Sequence, residues 1–268
     1  MAFITPQLLT AAREAPAGDR WLHEVKYDGL RVGAEVERGG RVRLWTRNGH
    51  DWTARMRAVE AAIAGLRLRD VYLDGEVVAV ARDGMPDFEA LQRGMRGGPR
   101  APRLVYQAFD LLRAGGRDLL HLELAERKRR LAETIGGGCE ALRVVEHHVG
   151  GGPALHAGAH ALGVEGIVSK RVRSRYSPGA RGSHWLKVKC YHLYRVTVTR
   201  VRDDEVAVVD GDGAFAGMVP VWSRLQLAAL RPGAEITVKA LARRPGRALR
   251  HATIVDPPAP PASRARAA

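Results

Sequence analysis

Lysine is scarce in this chain. Its 43 basic residues divide into 37 Arg and 6 Lys. Arginine keeps its proton in a protein, whereas lysine can be made neutral and nucleophilic, so a chain biased toward Arg keeps Lys where an amine is needed. Cysteine is scarcer still. Cys139 and Cys190 exclude a disulfide framework, form no metal-ligand spacing, and suit a reducing cytoplasm. No apolar run approaches the length of a membrane span. The first residues lack a basic stretch followed by an apolar one, so neither a membrane anchor nor a secretory signal is expected. Acidic residues number 29, which leaves a net charge of +14 and favours an anionic partner. The same Arg- and Ala-rich usage also arises from GC-rich coding, so charge alone does not name that partner.

The apolar fraction of 46% is enough for a buried core. Residues 20–45 alternate as strands do: Trp21, His23-Glu24-Val25, then Leu30 to Val36 and Val42 to Trp45, with Gly39-Gly40 as a hairpin turn. Met56, Val59, Ala62, Ile63 and Leu66 recur at helical spacing. A strand over Val71–Ala81, a short helix over Phe88–Met95 and a Gly/Pro/Arg loop over Arg96–Arg103 follow. Next come a strand at Val105–Leu112, a charged amphipathic helix at Ala125–Ile135, a helix at Pro153–Leu162 and a strand from Gly166 to Ser169. From Tyr191 the pattern changes to about five short strands with one helix, the signature of a small β-barrel of OB type. The expected organisation is α+β: a first domain over 1–190, an OB-fold domain over 191–256, and a disordered basic tail over 257–268. The basic excess is shared, with residues 190–268 carrying 12 basic and 7 acidic side chains.

Four of the six lysines fall inside three short motifs. Lys26 lies in Glu24-Val25-Lys26-Tyr27-Asp28-Gly29, Lys170 closes Glu165-Gly166-Ile167-Val168-Ser169-Lys170, and Lys187 and Lys189 sit in Trp185-Leu186-Lys187-Val188-Lys189. Between them stand Thr46-Arg47-Asn48-Gly49, Leu73-Asp74-Gly75-Glu76-Val77-Val78 and Ala108-Phe109-Asp110-Leu111-Leu112. This ordered series resembles the covalent nucleotidyltransferases. It is most similar to ATP-dependent DNA ligases, and among those to the ligase domain of bacterial end-joining enzymes. The resemblance covers residues 18–190.

It implies a nucleotidyltransferase (adenylation) domain of antiparallel sheets with flanking helices. It also implies a lysyl–AMP intermediate on Lys26, formed from ATP with Mg²⁺ or Mn²⁺. Positive neighbours would favour the neutral amine that attacks the α-phosphate. By the same resemblance Glu76 holds the ribose or a metal-bound water, and Glu165 supports the metal, since Mg²⁺ takes only one or two protein carboxylates. Phe109 stacks on adenine, Glu24 helps read the base, and Lys170 contacts the nucleotide. Arg31 and Arg47 are phosphate or nick-terminus contacts, because Arg binds phosphate oxygens bidentately. In a strand, Lys187 and Lys189 share one face and Leu186 and Val188 the other, which suits a phosphate in transfer.

The family's C-terminal motif, an Arg followed by an Asp-Lys pair, is incomplete. Gly246-Arg247-Ala248-Leu249-Arg250 resembles its start and then runs into Thr253-Ile254-Val255-Asp256. Arg247 or Arg250 would take over its role on pyrophosphate. With no DNA-binding domain expected ahead of Lys26, the resemblance would be to a minimal ligase of catalytic and OB domains. The expected partner is nicked duplex DNA, with end-joining or repair proteins, for a monomer in the bacterial cytoplasm at the nucleoid. An RNA ligase shares the same motifs, and a nick-binding module with weakened catalysis would account for the incomplete C-terminal motif.

Overall fold

The Gly39-Gly40 hairpin forms as the alternation predicts. Strand Leu30–Val36 pairs antiparallel with Val42–Thr46. Val32, Ala34 and Val36 face the same core as Val42 and Leu44, so the period-2 apolar pattern becomes one buried side of a sheet. The computed structural model describes residues 3–82, 84–95, 102–243 and 246–256. Residues 96–101 of the expected Gly/Pro/Arg loop and the expected tail at 257–268 lie outside the described residues.

The chain begins with β1 (Leu8–Ala11), β2 (Trp21–Val25), β3 (Leu30–Val36) and β4 (Val42–Thr46). A one-turn 3-10 helix (Thr53–Arg55) leads to α1 (Arg57–Gly65), β5 (Val71–Ala79), α2 (Phe88–Met95), β6 (Leu104–Ala114) and β7 (Arg117–Asp118). Then follow α3 (Leu124–Ile135), β8 (Leu142–Val144), β9 (His148–Val149), α4 (Gly152–Ala161), β10 (Gly166–Arg171) and β11 (Arg181–Lys189). The last elements are β12 (Tyr191–Val201), β13 (Glu205–Val209), β14 (Phe215–Pro220), α5 (Arg224–Ala229), β15 (Glu235–Leu241) and β16 (Thr253–Asp256). No helix among the described residues is long and apolar enough to cross a membrane.

Two compact units emerge, one of residues 1–158 with 166–188, the other of 159–165 with 189–268. The first unit holds two sheets, ordered β1-β11-β10-β2-β9 and β4-β3-β5-β6-β7, with β8 beside β6. Pairing is mostly antiparallel, but β1 runs parallel to β11 and β8 parallel to β6. β1 has no alternation in Leu8-Leu9-Thr10-Ala11, so pattern reading passes over it. One core packs Met56, Val59 and Ile63 beneath the second sheet, with Leu131 and Ile135 from α3. The other gathers Leu22, Tyr72, Phe109, Leu112, Leu124, Val145, Tyr176 and Trp185. The second unit is a five-stranded antiparallel sheet, β14-β13-β12-β15-β16, of OB-like character. Its core is mostly Val, Ile, Leu and Ala.

Helix α3 departs from a plain amphipathic reading. Its buried face is Leu124, Arg127, Lys128, Leu131 and Ile135, so two cations lie within the apolar stripe. A buried cation needs a partner. Arg127 makes a bidentate pair with the equally buried Asp110 of β6, at 2.8 and 2.9 Å.

Two motif glycines are required by close approach. A Cβ on Gly29 would overlap the Val77 carbonyl oxygen and stand 2.9 Å from Val78 Cγ1. On Gly75 it would stand 2.5 Å from Tyr106 Cζ and 2.8 Å from the Gln107 oxygen. Because the obstacle at Gly29 is backbone, Gly29→Ala is expected to cost about 1–3 kcal/mol or more. A urea unfolding midpoint unchanged from wild type would contradict this.

His23 is fully buried in β2, with Nδ1 2.8 Å from Ser169 Oγ on β10. Burial, with repulsion from His148, holds it below its ordinary value of 6.5. Between that value and the lower folded one, the unfolded chain binds more protons, so stability rises with pH. Stability should therefore fall as pH drops below about 6.5, by at most ~1.4 kcal/mol per pH unit from this residue. His23→Gln should flatten that slope in denaturant midpoints taken from pH 7.5 to about 5.

Candidate active site

The scattered motifs converge because their strands are neighbours. In β2 and β10, Val25 pairs with Ile167, Glu24 with Val168 and Leu22 with Lys170. The Lys26 amide, just past β2, donates to the Gly166 oxygen at 2.9 Å. In β3 and β5, Arg31 pairs with Glu76 and Gly33 with Asp74. Between β5 and β6 the register slips: Asp74 opposes Asp110 and Gly75 opposes Ala108. Phe109 is thus the extra residue of a β-bulge, a device that re-aims a side chain.

These strands line a partly open cavity. Its walls include Glu24, Lys26, Arg31, Glu76, Phe109, Val168, Lys170 and Trp185, so six of the expected site residues come together. Leu9 of β1 and Val145 also line it.

Charge is organised by buried carboxylates. Arg31 grips Asp74 at 2.7 and 2.6 Å, and Tyr176 Oη donates to Asp74 Oδ2 at 2.6 Å. Burial works against the Arg31 charge, but Asp74 overcomes it and keeps the guanidinium protonated. The Arg31 Cζ lies 4.7 Å from the Phe109 ring centre. Lys170 Nζ lies 4.4 Å from the same ring and 4.3 Å from that of Trp185, within cation–π range of both. Lys170 also meets Glu24 Oε2 at 2.7 Å, while Lys128 Nζ meets Oε1 at 2.6 Å. Burial alone would raise the Glu24 carboxyl, but the two ammoniums hold it below the ordinary range. Burial pushes Lys170 down, with Glu24 opposing and Lys128 adding to the effect.

Other expected residues are placed differently. Arg47 is exposed on the turn after β4, where Gly49 N donates to Thr46 O. Lys187 is half-buried on β11, on the strand face of Trp185. Glu165 and Lys189 belong to the second unit and face each other at 3.5 Å. Arg247 and Arg250 also lie there, next to Leu249, whose amide donates to Ala216 O at 2.7 Å. Sequence reading missed Lys128 and Tyr176, and took Trp185 only as a motif residue. Lys128 carried a signal, being one of the few lysines retained and spaced i+4 from Leu124 on a helix.

A family model described as "ATP dependent DNA ligase domain" matches residues 6–189. The chain is 41% identical over 189 residues to the multifunctional non-homologous end joining protein LigD of Pseudomonas aeruginosa, covering 70% of this chain and 22% of that protein. It is 35% identical over 240 residues to the multifunctional non-homologous end joining DNA repair protein LigD of Mycobacterium tuberculosis, covering 89% and 31%. The chain therefore spans less than a third of these relatives. The crystal structure of the ligase domain from M. tuberculosis LigD superposes with a TM-score of 0.65 at 28% identity, covering 94% of both chains. The family match over residues 6–189, together with the identity to these relatives and the superposition on the ligase domain, identifies the chain as a member of the ATP-dependent DNA ligase domain family.

Proposed function

We propose that this chain seals nicks between a 3′-hydroxyl and a 5′-phosphate in duplex DNA, with Lys26 as the nucleophile. The carrying observation is Lys26 at the end of β2, lining a cavity whose other walls suit a purine nucleotide. Glu24 offers an acceptor and Lys170 a donor 2.7 Å apart. Adenine presents the complementary pair, an exocyclic amine beside a ring-nitrogen acceptor. A 6-oxo purine presents the reverse. Phe109 and Trp185 supply flat apolar surface next to that edge.

The Lys26 amine attacks the α-phosphorus of ATP. A nitrogen–phosphorus bond forms, the bond to the β-phosphate bridging oxygen breaks, and pyrophosphate leaves. The adenylyl group then passes to the 5′-phosphate at the nick, and the 3′-hydroxyl displaces AMP. Such transfers depend on positioning and charge neutralisation more than on covalent help from the protein. Arg31, fixed by Asp74, holds a protonated guanidinium at the cavity wall in one orientation. Glu76 fits a Mg²⁺ held otherwise by phosphate oxygens and water, which needs only one or two protein carboxylates. Glu165, Lys187 and Lys189 are further candidates for the metal and the transferring phosphate. End joining is the proposed setting, supported by relatives whose names specify it.

Incubation with ATP and Mg²⁺ should raise the intact protein mass by one AMP, and nicked DNA should then be sealed. Lys26→Ala should abolish both, and so should Lys26→Arg, because Arg stays protonated. If AMP-stripped wild type gains no mass and also fails to seal pre-adenylated nicks, the reading is wrong.

A further inference from the structure

The Glu24 carboxylate has one oxygen toward the cavity residue Lys170 and the other toward Lys128. Lys128 stands outside every motif, on the buried face of α3, and is itself 2% exposed. It is not part of the cavity wall, yet it reaches two residues that are. Its Nζ meets Glu24 Oε1 at 2.6 Å and donates to the Val145 oxygen at 3.1 Å. The anchoring helix is fixed independently by the Arg127–Asp110 pair one residue away.

We propose that Lys128 is a positioning residue for base selection: it clamps Glu24 from behind, so that the carboxylate presents one fixed acceptor to the nucleotide base. This rests on the reading that Glu24 faces the base. A carboxylate held on one side only, by Lys170, can rotate about its last torsion, and that torsion is broad for Glu. Lys128 removes the freedom by taking the second oxygen. It also adds a second cation beside the Glu24 charge, so that Lys170 alone need not neutralise it. With Glu24 fixed, its acceptor and the Lys170 donor keep a constant spacing and match a 6-amino purine. Without Lys128 the pair can turn, and a 6-oxo purine is less strongly rejected.

The test is self-adenylylation of the full chain with ATP and with ITP, whose base carries oxygen at position 6 and a hydrogen on the adjacent ring nitrogen. Lys128→Met should weaken the apparent binding of ATP by about tenfold, with less change in the maximal rate. The ATP-over-ITP preference should fall by a similar factor, and Lys128→Arg should restore most of it. Lys128→Gln, which keeps a donor and lacks the charge, serves in place of the methionine variant should that one not fold. A merely structural lysine would lower both nucleotides in proportion, and an unchanged ATP-to-ITP ratio in the folded variants overturns the proposal. Glu24→Gln separates the two layers. If it loses the preference while the Lys128 variants keep it, only the clamp is wrong. If it keeps the preference, Glu24 does not face the base and the underlying reading fails with the clamp.

Discussion

A carboxylate taken out of water must meet a cation or a donor, and three of the buried carboxylates impose that rule on the candidate site. Glu24 on β2 is met by Lys128 and Lys170, Asp74 on β5 by Arg31, and Asp110 on β6 by Arg127. Each pair joins two different elements, and those of Glu24 and of Asp74 join elements well separated in the chain. Removing one member of such a pair typically costs about 3–5 kcal/mol, because the survivor stays buried and uncompensated. The same pairs therefore hold α3 and β10 against β2 and set the polarity of the cavity wall. Structure and chemistry depend on one set of contacts.

Apolar packing supplies the frame but not the aim. Val32, Ala34, Leu44, Met56 and Ile63 would bury equally well in many sheets. What turns Phe109 into the cavity is a single extra residue in β6 opposite Asp74-Gly75. What lets β3, β5 and β6 approach closely enough is the absence of side chains at Gly29 and Gly75. The motif glycines and the bulge act together, the first permitting contact and the second directing the aromatic ring beside Lys170 and Arg31.

Much of this was legible before folding was considered. Period-2 alternation marked β2 to β6, and helical spacing marked α1 and α3. The retained lysines marked Lys26 and Lys170. The parallel strand β1 was not legible, because four residues without alternation carry no period. Arg47, a motif residue, lies on an exposed turn and not in the cavity wall, a placement that the motif match did not specify. Lys128 looked like one more charge on a charged helix.

Residue identity alone determined the chemistry available here. A lysine-poor chain kept amines at Lys26, Lys170, Lys187 and Lys189, and glycines beside Asp28 and Asp74, in an order that resembles one enzyme family. Side-chain type decides nucleophilicity and charge wherever the residue ends up. Tertiary structure alone decided which of those groups meet. It placed Glu24 between Lys170 and Lys128, residues 146 and 104 positions further along the chain, and assigned Glu165 and Lys189 to the second unit. Such meetings depend on strand register, on a bulge and on which element a helix face is buried against, which are properties of packed elements and not of any one segment.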